Sequence, residues 1–328
     1  MPKQENQEQQ DSSNIIYRVA IVPDSYAGKR LDQALCQLFC DYSRSQLQKW
    51  LQQGNILVDG SQKQAKNKVV GGENICLDVA LENHTVWQAE AMPLEVVYED
   101  HDIIVINKPD NLVVHPGAGN PSGTLSNALL AYDKAFHTVP RAGIVHRLDK
   151  DTSGLMVAAK TLSAHTSLVQ QLSQHKVTRE YEAIVTGCIH DDRTIKTNIG
   201  RNPHNRLKMA VTPVGKTAIT HIKVLAHYRA HTRIRCALET GRTHQIRVHM
   251  QYINAPLLGD PVYNSRYKIS KAFSEELQHT LKHFKRQALH AYKLAFSHPI
   301  TLKPIAFRKK PPHDMQALIQ VLEQDAKR

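Results

Sequence analysis

Apolar positions between residues 29 and 77 predict two short helices followed by a strand. The first helix has apolar residues at helical spacing, namely Leu31, Ala34, Leu35 and Leu38. Residues 43–46 have the form of a capping box that opens the second helix, and Gly54 can close it in the left-handed conformation. The inward positions of the second helix are Leu47, Trp50 and Leu51. Residues 56–60 then predict a short strand that enters a hairpin turn.

Beyond a polar stretch at residues 80–95, apolar strand patterns alternate irregularly with helical ones. Strands are predicted at residues 103–106, 143–145, 155–159, 181–185, 218–225 and 232–238. Helices are predicted at residues 162–175 and 244–253, and a closing helix follows Asp314 as its N-cap. Because the strands do not follow a regular βαβ rhythm, the patterns favour an α+β fold with a mixed, mainly antiparallel sheet flanked by helices.

The same patterns predict how the chain divides into units. Residues 1–15 are rich in Gln, Glu, Asp and Ser and cannot bury enough apolar surface to fold, so we expect a disordered tail there. A small domain at residues 16–80 and a linker at residues 81–94 follow. We expect a larger domain at residues 95–315 and a C-terminal helix at residues 316–328.

The charge of the chain is informative about its partner. Of the 328 residues, 42 are Lys or Arg and 30 are Asp or Glu, which gives a formal net charge of +12. A balance this basic favours a polyanionic partner, because each neutralised phosphate releases counterions. The alternative is a basic surface that is merely solvated.

Cysteine usage and hydropathy indicate the compartment. The five cysteines are scattered and odd in number, which suits a reducing environment. No second ligand pair accompanies Cys36 and Cys40, so no zinc site is expected. No apolar stretch approaches the roughly 20 residues of a membrane span, and no leader pattern is present. We therefore expect a cytoplasmic protein with no membrane association.

Basic residues crowd the polar side of the small N-terminal unit. They are Arg30, Arg44, Lys49, Lys63, Lys66 and Lys68. A helix-helix-hairpin unit with a basic face can dock on an RNA helix through shape and phosphate contacts. The alternative is a structural module whose lysines are only solvated.

A dense polar loop lies between two apolar runs at residues 143–157 and is the first candidate for catalysis. An ordinary turn and a structural ion-pair cluster are alternatives, because Asp, Thr, Ser and Gly all favour turns. A calcium loop would use Asp149, Asp151 and Ser153, but its twelfth position is Lys160, where a bidentate Glu is required. A second polar segment, at residues 240–250, concentrates donors at the start of a predicted helix, where anions are favoured. A solvated basic helix end is the alternative for that segment.

These two segments resemble the signature motifs of the RluA family of pseudouridine synthases. The matching stretches are His146–Asp149 with Thr152–Gly154, and Gly241–Arg247. Further family-like stretches occur in the expected order: Asn107–Pro109, His115–Gly117, Arg179–Ala183, Gly200–Arg201, Met209–Val211, Gly215–Lys216 and Gln287–Ala291. The N-terminal unit resembles an S4 RNA-binding domain, and the resemblance spans about residues 16–315. Two departures are Asp110–Asn111, where Asn tolerates the left-handed conformation that the turn needs, and Ser153, which keeps the hydroxyl of the more usual Thr.

The resemblance implies roles for individual residues. It assigns the catalytic carboxylate to Asp149, the partner that keeps it ionised to Arg247, and stacking on the target base to Tyr181. Arg147 is implied to fill the gap left when the uridine flips from its stack, and Leu289 to line an apolar pocket. The remaining RNA contacts expected are His146, Arg44, Lys49, Arg201, Arg206 and Arg242.

The implied reaction breaks the N1–C1′ bond of uridine, rotates the base and rejoins it through C5, which requires no cofactor and no metal. Attack of the carboxylate at C1′, attack at C6 and removal of the 2′ proton are all open routes. Through the S4-like unit and the close motif match, the resemblance implies large-subunit ribosomal RNA in its helix 69 stem-loop as the substrate, either free or in an assembling subunit. We expect a monomer, because no coiled-coil pattern or long hydrophobic face is left over. A sibling synthase for other ribosomal or transfer RNA uridines and a non-catalytic S4 ribosome-binding factor are the alternatives. A glycoside hydrolase would need two cooperating carboxylates. The loop offers Asp149 and Asp151, but the resemblance gives Asp151 no role.

Overall fold

A computed structural model describes residues 15–39, 42, 44–80, 87–117, 119–203, 205 and 208–328. The predicted tail lies outside these residues except for Ile15, which begins the first strand. Residues 81–86 of the predicted linker, Ser43 of the predicted capping box, Cys40 and Arg206 also lie outside the described residues. Among the helices of the described part, none combines the length and the apolar character that crossing a bilayer requires.

The N-terminal unit packs two helices on a small antiparallel sheet. Its elements are β1 (Ile15–Ile21), α1 (Leu31–Leu38), α2 (Arg44–Gln52), β2 (Ile56–Val58) and β3 (Asn74–Ala80), with strand order β1-β3-β2. The predicted helices and β2 are confirmed: Leu31, Leu35 and Leu47 are fully buried, and Gly54 ends α2 with φ of +82°. The pattern did not predict β1, because Tyr17, Val19 and Ile21 on its outer face are apolar and exposed and so hide the alternation.

The rest of the described chain builds one large sheet with helices around it. Its elements are β4 (Val96–Glu99), β5 (Ile103–Lys108), α3 (Leu125–Tyr132), β6 (Ser153–Ala159), α4 (Leu162–Ser173), β7 (Thr178–Thr186), β8 (Arg193–Arg201), β9 (Met209–Val211), β10 (Lys216–His227), β11 (His231–Leu238), α5 (Gln245–Tyr252), α6 (Glu275–His283), β12 (Leu289–Ser297), β13 (Pro304–Arg308) and α7 (His313–Asp325). The strand order is β4-β5-β6-β12-β7-β11-β10-β8-β9, with β13 paired to β12. Only the β6–β12 pair is parallel among the described pairings. The α+β class with a mixed, mainly antiparallel sheet is therefore confirmed.

The centre of this sheet is buried on both faces. On β5, Ile104 and Ile106 join one apolar cluster, while Ile103 and Val105 join another on the opposite face. All seven residues of β6 are buried. Strands covered on both sides carry continuous apolar runs rather than alternation, which explains why residues 103–106 and 155–159 were recognisable as strands.

Two predicted elements differ from the structure. Residues 143–145 do not form a strand: a tight turn spans Pro140–Gly143, and Ile144 makes only an isolated bridge to Ala158. Gly143 has φ of +73° and lies so close to Ala159 that a Cβ would approach its carbonyl oxygen to 1.9 Å. The closing helix α7 spans His313–Asp325 rather than 316–328. Its N-cap is Pro312 and not Asp314, which lies in the first turn and pairs with Arg286.

Candidate active site

The two signature segments meet in a cleft of about 560 Å³. The loop before β6 contributes residues 144–149 and Thr152, and the β11–α5 turn with the start of α5 contributes residues 240–247. Tyr181 and Leu289 are among the other residues of the wall. Tyr181 on β7 pairs with Cys236 of β11 and with Ala291 of β12. The sheet therefore brings together segments that are about 100 residues apart in the sequence.

Side chains from β12 and from the segment before it hold the end of the polar loop that carries Asp149. Ser153 Oγ lies 2.9 Å from Nδ1 of the buried His290, and Gln287 Nε2 donates to Thr152 Oγ1 at 3.1 Å. Gly154 has φ of +118°, and a Cβ there would approach the Ala291 carbonyl oxygen to 2.4 Å. The Thr-Ser-Gly motif therefore lies where β6 and β12 pack against each other.

A buried lysine fixes the other end of the loop. Lys108 is 1% exposed, and its Nζ donates to the carbonyl oxygens of Pro109, Leu112 and Lys150 at 2.7, 2.9 and 2.9 Å. Burial lowers its pKa to about 7, although the nearby carboxylates of Asp110, Asp151 and Asp149 oppose that shift. Because Lys150 follows Asp149, these bonds hold the backbone beside that carboxylate.

Asp149 lies in the cleft with one oxygen engaged by a fixed cation. Its side chain is 17% exposed, and Oδ2 accepts from Arg247 Nη1 at 3.0 Å. Arg247 also donates from Nε and Nη2 to the two oxygens of Asp260 at 2.7 and 2.9 Å. Burial alone would lower the pKa of Arg247, but the carboxylates of Asp260 and Asp149 raise it above its ordinary value. The guanidinium of Arg247 therefore binds two carboxylates, and its two hydrogen bonds to the buried Asp260 hold it in place.

The turn that presents Arg247 is itself tied to the sheet. The buried side chain of Gln245 accepts from the backbone N–H of Arg242 at 3.0 Å and donates to the Ile219 carbonyl oxygen at 2.9 Å. His244, the N-cap residue of α5, has φ of +56°, and its Nε2 lies 3.8 Å from Asp149 Oδ1.

Tyr181 and Leu289 belong to the apolar part of the wall. Their residues are 7% and 4% exposed. Burial raises the pKa of Tyr181, which keeps the phenol protonated at neutral pH. Both belong to the buried core cluster that contains Cys236 and Met156.

The predicted RNA contacts fall into different places. Arg147 is exposed on the cleft wall, and Arg242 lines the cleft while its Nε donates to the Thr217 carbonyl oxygen at 3.0 Å. His146 also lines the cleft, but its Nε2 accepts from the Val157 N–H at 3.1 Å, and burial lowers its pKa to about 3. It is therefore a neutral ring tied to β6. Arg201 is exposed at the end of β8 and is not part of the cleft wall.

Arg44 and Lys49 lie on α2 of the N-terminal unit, apart from the cleft wall. Arg44 Nη2 donates to the buried Asp32 carboxylate at 2.6 Å, as does Gln48 Nε2 at 2.9 Å. Part of the Arg44 side chain is therefore used to satisfy a buried carboxylate, while 53% of it stays accessible.

Sequence reasoning missed several groups in or behind the cleft. Arg179 lines the wall on the same face of β7 as Tyr181, and strand alternation two residues before the tyrosine was an available signal. The guanidinium fits against Gly241, where a Cβ would lie 2.6 Å from Nη1. Asp260 and Tyr263 follow α5 in a loop with no periodic pattern, so nothing local indicated them.

One group of possible metal ligands occurs in the described part of the chain, namely Asp100, Asp102 and His298. His298 Nε2 donates to Asp100 Oδ2 at 2.8 Å, and its Nδ1 accepts from the backbone of Thr301. These hydrogen bonds give His298 and Asp100 a structural role, and none of the three residues lines the cleft.

Comparison with known proteins identifies the class that this cleft defines. The profile of RNA pseudouridylate synthases matches residues 102–252, and the profile of the S4 domain matches residues 29–75. The chain belongs to the RNA pseudouridylate synthase family, so it is an enzyme that acts on RNA. The non-catalytic binding factor and the glycoside hydrolase are thereby excluded.

Individual relatives narrow the comparison further. The chain is 52% identical to the ribosomal large subunit pseudouridine synthase D of Vibrio parahaemolyticus, over 93% of this chain and 94% of that protein. It is 50% identical to the protein of the same name from Escherichia coli K12, with the same coverage. Human RNA pseudouridylate synthase domain containing 1 superposes with a TM-score of 0.52 at 25% identity, over 67% of this chain and 84% of that one. Human domain containing 4 gives a TM-score of 0.57 at 24% identity, over 70% and 93%, and supports the fold alone.

Proposed function

We propose that this enzyme converts uridine to pseudouridine in the helix 69 stem-loop of large-subunit ribosomal RNA, with Asp149 as its catalytic carboxylate. The observation that carries the proposal is the pairing of Asp149 with Arg247 at the cleft wall, at 3.0 Å. The buried Asp260 holds the same guanidinium from its other side, so the cation beside Asp149 is fixed.

The reaction is an isomerisation, so atoms balance without a co-reactant. The N1–C1′ bond breaks, the uracil rotates, a C5–C1′ bond forms, and the C5 proton leaves while N1 gains one. Attack at C1′, attack at C6 and removal of the 2′ proton all use an ionised Asp149. Tyr181 and Leu289 enclose the base and exclude water, which keeps the detached uracil in place during its rotation.

The target uridine must leave its stack to reach Asp149. Arg147 is exposed and lines the same cleft as Asp149, so it can occupy the position that the base vacates. Arg141, Arg179 and Arg242 also line the cleft, which provides cations for the flanking phosphates.

The choice of ribosomal RNA rests on the relatives, whose names state a large-subunit target. We further infer that residues 16–80 are an RNA-binding domain that supplies affinity through α2, and that residues 95–315 are the catalytic domain. The partner is then ribosomal RNA or an assembling subunit in the cytoplasm, and the enzyme acts as a monomer.

A carbodiimide primer-extension map of pseudouridines in large-subunit RNA tests the proposal. Cells that lack the protein are compared with cells complemented by the wild type or by Asp149→Asn. Loss of the helix 69 stops, restored by the wild type alone, is the expected result. If other stops vanish instead, the target is wrong; if restoration by Asp149→Asn equals that by the wild type, the catalytic assignment is wrong.

A further inference from the structure

His244 lies where the β11–α5 turn meets the helix, and its backbone has a conformation that residues other than glycine seldom adopt. Its φ of +56° places a non-glycine residue in the left-handed region. Such residues persist where surrounding contacts over-determine them, and they are frequent at functional sites. The conformation brings the imidazole to the cleft wall between Tyr263 and Asp149.

The hydrogen bonds of Tyr263 determine which nitrogen of His244 carries the proton. The Tyr263 hydroxyl oxygen accepts from the Met209 backbone N–H at 2.9 Å, and the same oxygen lies 2.9 Å from His244 Nδ1. Among the described residues, Nδ1 is the acceptor within reach of the hydroxyl hydrogen. If Nδ1 carried a proton, that hydrogen of a 5%-exposed residue would have no acceptor. The phenol therefore donates to Nδ1, and the neutral ring carries its proton on Nε2.

The protonated nitrogen of His244, Nε2, lies on the side of the Asp149 carboxylate that Arg247 does not bind. Arg247 occupies Oδ2 of Asp149, while His244 Nε2 lies 3.8 Å from Oδ1, about 1 Å beyond hydrogen-bond length. The charged groups around the ring are Asp149, Arg247, Asp260 and Arg147, and burial lowers the pKa of the imidazole. A neutral donor orients Oδ1 without placing a second cation beside the carboxylate.

We propose that His244 is a positioning residue: held by Tyr263 as the Nε2–H tautomer, it donates to Asp149 Oδ1 when the nucleotide enters and so aims the carboxylate. This proposal rests on the proposed function of Asp149. The contact shortens from 3.8 Å to a hydrogen bond, while Arg247, clamped by Asp260, does not move.

The tautomer can be measured without any substrate. Long-range ¹H–¹⁵N correlation spectra of the full chain labelled at its histidines report the protonation of both ring nitrogens, and the resonances lost in His244→Gln identify His244. We expect a protonated Nε2 and a bare Nδ1 at neutral pH, with the ring titrating below the ordinary histidine value. In Tyr263→Phe the Nδ1 resonance should shift, because its hydrogen-bond donor is gone. A protonated Nδ1 in the wild type would overturn the proposal.

Turnover of an RNA stem-loop by two isosteric variants tests the role of the donor. The side-chain amide of Gln supplies a donor near the position of Nε2, whereas that of Asn reaches only the position of Nδ1. We expect His244→Gln to keep most of kcat and His244→Asn to lose about 10- to 100-fold, the size of one hydrogen bond to a charged group, with KM little changed. Equal kcat values for the two variants, or a loss confined to KM, would overturn the proposal.

Control variants distinguish a failure of the His244 proposal from a failure of the catalytic assignment of Asp149. His190→Gln, an exposed imidazole outside the cleft wall, should turn over like the wild type. Full activity of Asp149→Asn would refute the catalytic assignment while leaving the tautomer result intact. Melting temperatures of all variants show whether a loss of turnover reflects unfolding, and the Gln–Asn comparison stands even if Tyr263→Phe does not fold.

Discussion

The buried histidines predict that the protein loses stability in mild acid, and His249 is the clearest case. Its side chain is fully buried on α5, with Nδ1 2.9 Å from Thr220 Oγ1 and Nε2 3.0 Å from Thr197 Oγ1. Burial lowers its pKa from 6.5 to about 4. The ring therefore stays neutral in the folded protein under conditions that protonate it in the unfolded chain.

The sign and size of the effect follow from proton linkage. Below about pH 6.5 the unfolded state binds more protons than the folded state, so the free energy of unfolding falls as the pH is lowered toward about 4. A fall in pKa from 6.5 to about 4 corresponds to about 3 kcal/mol in full, and to about 2 kcal/mol at pH 5. Because a domain is stable by only about 5–15 kcal/mol, one imidazole makes a measurable difference.

Urea unfolding followed by circular dichroism, at about pH 7.5 and about pH 5, measures this contribution. The variant is His249→Gln, whose amide keeps hydrogen-bonding capacity but does not titrate. We expect its loss of stability between the two pH values to be about 2 kcal/mol smaller than that of the wild type. The exposed His190→Gln should retain the wild-type loss. If His249→Gln lost as much stability on acidification as the wild type, the reasoning from a buried neutral imidazole would be refuted.

Three further predictions concern the site and the N-terminal unit. Asp149→Asn should abolish turnover of an rRNA stem-loop while preserving the fold and RNA affinity, because it removes charge at nearly constant shape; turnover by the purified variant, prepared free of host enzyme, would contradict the role of Asp149. Asp260→Asn should lower the free energy of unfolding by about 3–5 kcal/mol, since it leaves the buried Arg247 with one partner fewer, and the exposed Asp191→Asn should change it by less than about 0.5 kcal/mol in the same urea titration. Deletion of residues 1–80 should weaken binding to rRNA and flatten its dependence on salt concentration, and an unchanged slope in filter-binding assays would show that this unit makes no phosphate contacts.

The elements that sequence predicted are those whose patterns are local. The apolar run at residues 103–106, the alternation along β11 and the helical spacing of α4 each contain their signal within one element. Asn111, expected to adopt the left-handed conformation, has φ of +59°. The turn at residues 140–143 escaped prediction because Arg141 and Ala142 also take positive φ, which neither residue type favours.

The site was only partly predictable for a related reason. Family resemblance indicated Asp149, Tyr181 and Arg247, and the structure brings all three to one cleft. It gave no indication of Asp260, whose importance lies in a contact with Arg247 rather than in any motif. A buried carboxylate in an irregular loop cannot be distinguished from an exposed turn residue until the chain is folded.

The contacts around Asp149 indicate which partner moves during the reaction. Lys108 fixes the backbone after Asp149, the Ser153–His290 contact fixes the end of its loop, and Asp260 prevents Arg247 from following the carboxylate. These contacts come from separate regions of the sequence and are mostly buried, so displacing the loop would break several of them at once. The nucleotide, by contrast, must flip, rotate its base and rejoin it. Under the proposed function, the base therefore turns beside a carboxylate that these contacts hold in place, and the donor proposed for His244 only completes its alignment.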